Sequence, residues 1–185
     1  MANAPFRRRE GRPAPAPGLL RRIDAFARLA FPGVSTAVLM VLAGAPISLP
    51  SPVLAVALPC VAFWTVFRPA AMSPPVTFLL GLLLDLLTMA PLGAGILVLL
   101  AVNGVTLRLR HLLARQSFLV FWLAFCVAAV GAGALYWGLQ AVLALRLPPI
   151  APAMHGAMLS AGLYPLIALV LTRIHEAMIQ AENTP

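Results

Sequence analysis

The sequence predicts an all-α integral membrane protein of six transmembrane helices, and three observations carry that reading. Of the 185 residues, 62% are hydrophobic and 10% are charged, with mean hydropathy +0.97. Soluble domains stand near about 45–50% apolar and about 25% charged, so a bilayer must solvate this chain. The apolar residues fall into six runs separated by turn residues. The third observation is charge placement. All thirteen basic residues are arginine, and with the N-terminus inside, a six-span chain puts twelve on the inner side and Arg146 alone on the outer. The expected topology is therefore multi-pass with both termini cytoplasmic.

Residues 1–28 read as a basic cytoplasmic tail. Pro5, Pro13, Pro15 and Pro17 disfavour regular structure up to Gly18, and seven of the arginines lie here, Arg21 and Arg22 among them. From Leu19 to Arg28 the pattern allows a short amphipathic helix lying along the membrane surface. Such a tail acts as a topogenic signal beside anionic headgroups. No aromatic residues interleave with the arginines for base stacking, so a nucleic-acid partner is not expected. Ala43-Gly44-Ala45 has the look of a signal-peptidase site, but Pro46 follows directly and more spans lie downstream, so no cleaved segment is expected.

The membrane domain, residues 29–175, contains six apolar segments: about 29–49, 52–67, 76–89, 92–107, 118–145 and 154–172. A straight helix needs about 20 residues to cross about 30 Å of hydrocarbon. The second, third and fourth segments fall short of that, which implies local thinning or shielding by neighbouring helices. The third and fourth could also form a re-entrant hairpin without changing the topology. Arg108, Arg110 and Arg115 follow the fourth segment as a basic group meeting the inner surface. Residues 176–185 form a short cytoplasmic tail.

One carboxylate interrupts this apolar pattern. Asp85 is the only acidic residue between Asp24 and Glu176, and it stands inside a run of leucines. A charged group at a helix centre costs about 2.5–3.5 kcal/mol on insertion scales, so Asp85 needs a partner, a wet cavity or a proton. Thr77, Gly81, Asp85 and Thr88 fall at i, i+4, i+8 and i+11 and share one helix face. Two roles fit that face. It can be a packing or partner-binding surface, with the glycine admitting another helix and the hydroxyls donating to the carboxylate, or a buried hydrogen bond that fixes helix packing. Ala90-Pro91-Leu92-Gly93 reads as a tight outer turn, with Gly93 and Gly95 permitting close backbone approach. The turn would put Asp85 in the outer half of the membrane, within reach of water or a partner segment.

Asn103 is expected to hydrogen-bond across a helix pair, and Ala134/Gly138 carries small-xxx-small spacing on the fifth segment. Trp64, Tyr136 and Trp137 are candidates for an interfacial aromatic belt. Cys60 and Cys126 read as small buried hydrophobes. His111, His155 and His175 lack ligand spacing, so no metal site is expected, and no phosphate loop, nucleophile elbow or paired carboxylates point to catalysis or a cofactor.

Phe78-Leu-Leu-Gly81-Leu-Leu-Leu-Asp85-Leu86-Leu87, followed by Pro91-Leu92-Gly93, resembles the rod shape-determining protein MreD family of the bacterial cell-elongation complex. The resemblance covers about residues 30–175 and includes Tyr164-Pro165 in the last segment. It implies a non-enzymatic scaffold of the bacterial inner membrane that binds the bitopic protein MreC. Through it, cytoplasmic MreB filaments would be coupled to the RodA/penicillin-binding-protein synthase of peptidoglycan. It also implies a six-helix fold similar to the substrate-binding components of energy-coupling-factor transporters. Carried over to this chain, the functional core would be Gly81, Asp85, Pro91, Leu92 and Gly93, with Thr88 on the same face. The alternative from another class is a small-molecule, vitamin-type uptake component.

Overall fold

A computed structural model describes residues 19–45, 52–113, 116–145 and 147–183. Among these residues it contains six helices and no strand: α1 (Leu19–Ala43), α2 (Pro52–Phe67), α3 (Pro74–Thr88), α4 (Ala94–Leu113), α5 (Phe118–Ala144) and α6 (Ile150–Asn183). Four helices, α1, α4, α5 and α6, are long and apolar enough to cross a membrane, whereas α2 and α3 are shorter apolar helices. By length and composition the chain is a multi-pass membrane protein. The tail up to residue 18, Arg115 and Arg146 lie outside the described residues.

Helix boundaries depart from the apolar segments mainly where charge appears. The amphipathic stretch from Leu19 and the first segment form one continuous helix, α1, which passes through Pro32. On α4 the helix continues past the apolar run, through Arg108 and Arg110 to Leu113, and α6 continues through residues 176–183. Arginine is a good helix former, so a charge ends the apolar run without ending the helix. That extension is what makes α4, at 20 residues, long enough to span.

The short α2 is the centre of the molecule. It packs on α1, α3, α4, α5 and α6, and thirteen of its sixteen residues are buried. A helix apolar all round is stable only when surrounded, and its neighbours supply that environment. Although α5 is equally apolar, only six of its 27 residues are buried, so its apolarity serves the lipid-facing surface. Trp64 illustrates the difference. Instead of joining an interfacial belt it is fully buried on α2, edge-on to Phe31, Phe63 and His175 at centroid distances of 6.3, 5.4 and 6.3 Å. Tyr136 is likewise buried, while Trp137 is half-buried and donates from Nε1 to the Pro148 carbonyl at 2.9 Å. Cys60 lies in the core and Cys126 is half-buried, both as free thiols.

Helices alternate in direction, which gives the molecule two distinct ends. Ala43, Pro52, Thr88, Gln140 and Pro152 converge at one end, together with the α3–α4 turn. At the other, Phe67, Leu113, Gln116 and Arg173 converge. Arg68, Arg108 and Arg110 stand in the α2–α3 connection and the last turns of α4, on this second side. Within α6, Pro165 cannot donate to the carbonyl of Ala161 one turn earlier. Trp122 Nε1 on α5 donates to that carbonyl at 3.0 Å, so the proline gap becomes an interhelical tie.

Candidate functional site

At the turn end, α3 and α4 form a hairpin with the most extensive helix pairing in the molecule. Three levels of contact hold it. Farthest from the turn, Asn103 of α4 donates from Nδ2 toward Thr77 Oγ1 (3.1 Å), Thr65 Oγ1 of α2 (3.0 Å) and the Met72 carbonyl (3.1 Å). The expected cross-helix bond of Asn103 is thus a buried knot joining α2, α3, α4 and the α2–α3 connection. At the middle level the backbones nearly touch. A Cβ on Gly81 would stand 2.5 Å from Ile96 Cα and 3.1 Å from the Gly95 carbonyl oxygen, closer than real side chains come. Glycine at 81 is therefore a requirement of the crossing.

Nearest the turn lies Asp85, 1% exposed. Its Oδ2 accepts the Gly93 amide at 2.8 Å and its Oδ1 accepts the Gly95 amide at 2.6 Å. These amides open α4, where first-turn N–H groups have no partner within their own helix. Asp85 supplies from α3 what an N-cap residue usually supplies from its own chain position, and an acidic group at a helix N-terminus also suits the helix dipole. Its main chain has a complementary task. The Asp85 carbonyl accepts the amides of Met89 and Ala90, where α3 ends with Met89 in the left-handed region at φ 50°. One residue closes α3 with its backbone and starts α4 with its side chain.

The partners of Asp85 differ from the hydroxyls expected from the helix face. Thr88 Oγ1 donates to its own helix at the Leu84 carbonyl (2.7 Å), so the 3.1 Å contact with Tyr136 is a bond from the tyrosine hydroxyl to Thr88. The Thr77 hydroxyl turns to the Ser73 carbonyl at 3.3 Å. Thr88 therefore links the hairpin to α5 rather than to the carboxylate. Nor does water or a neighbouring surface reach Asp85, because α4 covers it. The outward-facing groups are Leu86, Met89 and Leu92, the last 67% exposed, and they make the rim of the turn apolar. Pro91 and Gly93 shape that turn. Gly93 has φ +107°, a value that L side chains rarely adopt, although open space surrounds it.

The structure thus brings Gly81, Asp85 and Gly93 into one clasp, sets Thr88 beside it and leaves Leu92 at its tip. Gly95 belongs at its centre, since a Cβ there would stand 2.5 Å from Asp85 Oδ1 and 2.9 Å from Leu84 Cδ2. Its sequence signal was the second glycine after the proline, which predicts close approach but does not say to what. Of the arginines expected to set the topology, Arg21 and Arg22 fall within the first turns of α1, while Arg108 is exposed and Arg110 half-buried at the opposite end from the clasp. Beside Thr88 a cavity of about 430 Å³ opens at the turn end, with Tyr136, Trp137 and Gln140 on one wall and Pro52, Pro148 and Pro152 on others. No family model, curated protein or solved structure matches the chain.

Proposed function

We propose that this chain is a non-enzymatic scaffold of the bacterial cell-elongation complex, acting in the inner membrane in the manner of the MreD family. The observation that carries the reading is the clasp. The residues that bear the sequence resemblance, Gly81, Asp85 and Pro91-Leu92-Gly93, form a rigid hairpin whose apolar tip faces outward. In this reading the buried carboxylate sets the hairpin's shape, and exposed Leu86, Met89 and Leu92 meet an MreC-like bitopic partner. MreB filaments and the RodA/penicillin-binding-protein synthase join through that partner. All six helices cross the bilayer, with α2 and α3 shielded by their neighbours, in an arrangement similar to energy-coupling-factor substrate-binding components. Both termini are cytoplasmic, a topology supported by the arginines at the end where α1 begins and α6 finishes.

Affinity purification in mild detergent tests this. Wild-type protein should retain a bitopic MreC-like protein. Leu92→Arg should lose it with helix content intact, because Leu92 holds no internal contact of the clasp. Retention of the partner by Leu92→Arg would remove the tip from the interface, and recovery of no membrane partner from wild type would refute the scaffold. The cavity beside Tyr136 and Gln140 favours a second reading, a vitamin-type uptake component, for which a co-purified small molecule without a protein partner is the expected result.

A further inference from the structure

A second, larger opening lies at the arginine end. It is a cleft of about 820 Å³ between α2, the α4–α5 connection, the start of α5 and α6, and the clasp takes no part in it. Its interior is aromatic. Tyr164 stacks on Phe118, Phe121 and Phe125 at centroid distances of 6.3, 5.7 and 4.4 Å, and Phe118 and Leu169 remain exposed where the cleft meets the outer surface. Among the described residues that line it, the charged ones are Arg173 and Glu176 of α6, at its mouth.

These two residues stand at i and i+3, on one face of the helix, with Cβ atoms about 5–6 Å apart. Both are exposed, and no ion pair joins them. One cation and one anion side by side above an apolar aromatic slot form a dipolar pattern. A purely anionic lipid would meet repulsion from Glu176, and an uncharged one would use neither group. A zwitterionic headgroup with phosphate and ammonium separated by a two-carbon bridge matches both. A primary ammonium can also donate to the Glu176 carboxylate, which a quaternary one cannot. We propose that this cleft is a binding site for an aminophospholipid, with the phosphate on Arg173, the ammonium on Glu176 and the acyl chains along the Phe118–Phe121 wall.

The test offers detergent-purified, delipidated full-length protein equal amounts of phosphatidylethanolamine, phosphatidylglycerol and phosphatidylcholine, and reads the retained adducts by native mass spectrometry. Wild type should favour phosphatidylethanolamine by about fivefold, the upper size expected of one exposed ammonium–carboxylate pair. Arg173→Ala should lower retention of all three lipids, each of which carries the phosphate, whereas Glu176→Gln should erase the preference for phosphatidylethanolamine over both of the others. Leu169→Trp, which narrows the cleft from its exposed rim, should lower retention of all three lipids, and circular dichroism should show unchanged helix content in each variant. Equal retention of the three lipids by wild type, unchanged retention by Arg173→Ala, or a preference that survives Glu176→Gln would overturn the site.

Discussion

Asp85 on α3 and Gly95 on α4 are matched to each other: one carboxylate oxygen accepts the Gly95 amide at 2.6 Å, and a Cβ on residue 95 would stand 2.5 Å from that same oxygen. The glycine leaves room for the oxygen, and the oxygen satisfies the amide that the missing side chain exposes. A carboxylate that is costly in an apolar segment becomes tolerable because the start of a helix presents unpaired donors to it.

Asp85→Asn keeps the size of the side chain but turns one acceptor into a donor, which then faces the amide of Gly93 or Gly95. We expect a loss of about 1–3 kcal/mol, the cost of one unsatisfied buried donor. Reversible unfolding in mixed micelles would read it. A variant as stable as wild type would show that these hydrogen bonds contribute little.

Three of the hairpin's glycines should respond differently to alanine. Gly95→Ala should separate α3 from α4, because its Cβ meets backbone and carboxyl atoms. Gly93→Ala has room but a φ of +107°, so its cost should be backbone strain of about 1–3 kcal/mol. Gly104→Ala on α4 meets nothing within 4 Å and should stabilise by about 0.8–1 kcal/mol through helix propensity. Thermal midpoints of the three variants should rise in that order, with Gly104→Ala highest.

Removing Asn103 should loosen the end of the hairpin opposite the turn. Asn103→Leu leaves Thr65, Thr77 and the Met72 carbonyl without their shared donor. A destabilisation of about 1–3 kcal/mol is expected. Hydrogen exchange should rise at the start of α3 before it rises near Asp85, and uniform exchange along α3 would contradict the picture of two separate anchors.

Trp122 and Pro165 should be energetically coupled. Trp122→Phe removes the donor to the Ala161 carbonyl, a loss of about 1 kcal/mol. In a Pro165→Ala background the helix regains its own donor to that carbonyl, so the same substitution should cost less. A double-mutant cycle reads the difference directly, and additive effects would mean that the tryptophan contributes only through packing.

Much of the architecture is legible in the sequence. Helix α2 occupies the run 52–67 read from apolarity, and α5 ends within one residue of the expected boundary. The cross-helix role of Asn103 and the turn at Pro91–Gly93 were also readable. The charged edges were not, because arginine ends an apolar run while continuing a helix. The place of Trp64 was hidden for a related reason. An apolar segment looks the same whether it faces lipid, as α5 does, or six-helix core, as α2 does, since both environments exclude water.

Asp85 marks the division most clearly. Its chemistry dictated that a buried carboxylate needs donors, and its spacing put it on a face with Thr77, Gly81 and Thr88. The donors it found are backbone amides, a group that every residue but proline carries, so no letter in the chain could identify them. Which amides stand free is decided only when α4 begins at Ala94 and folds back against α3. The first turn of a helix leaves its N–H groups unpaired, and the glycine crossing brings them to within 2.8 Å of the carboxylate.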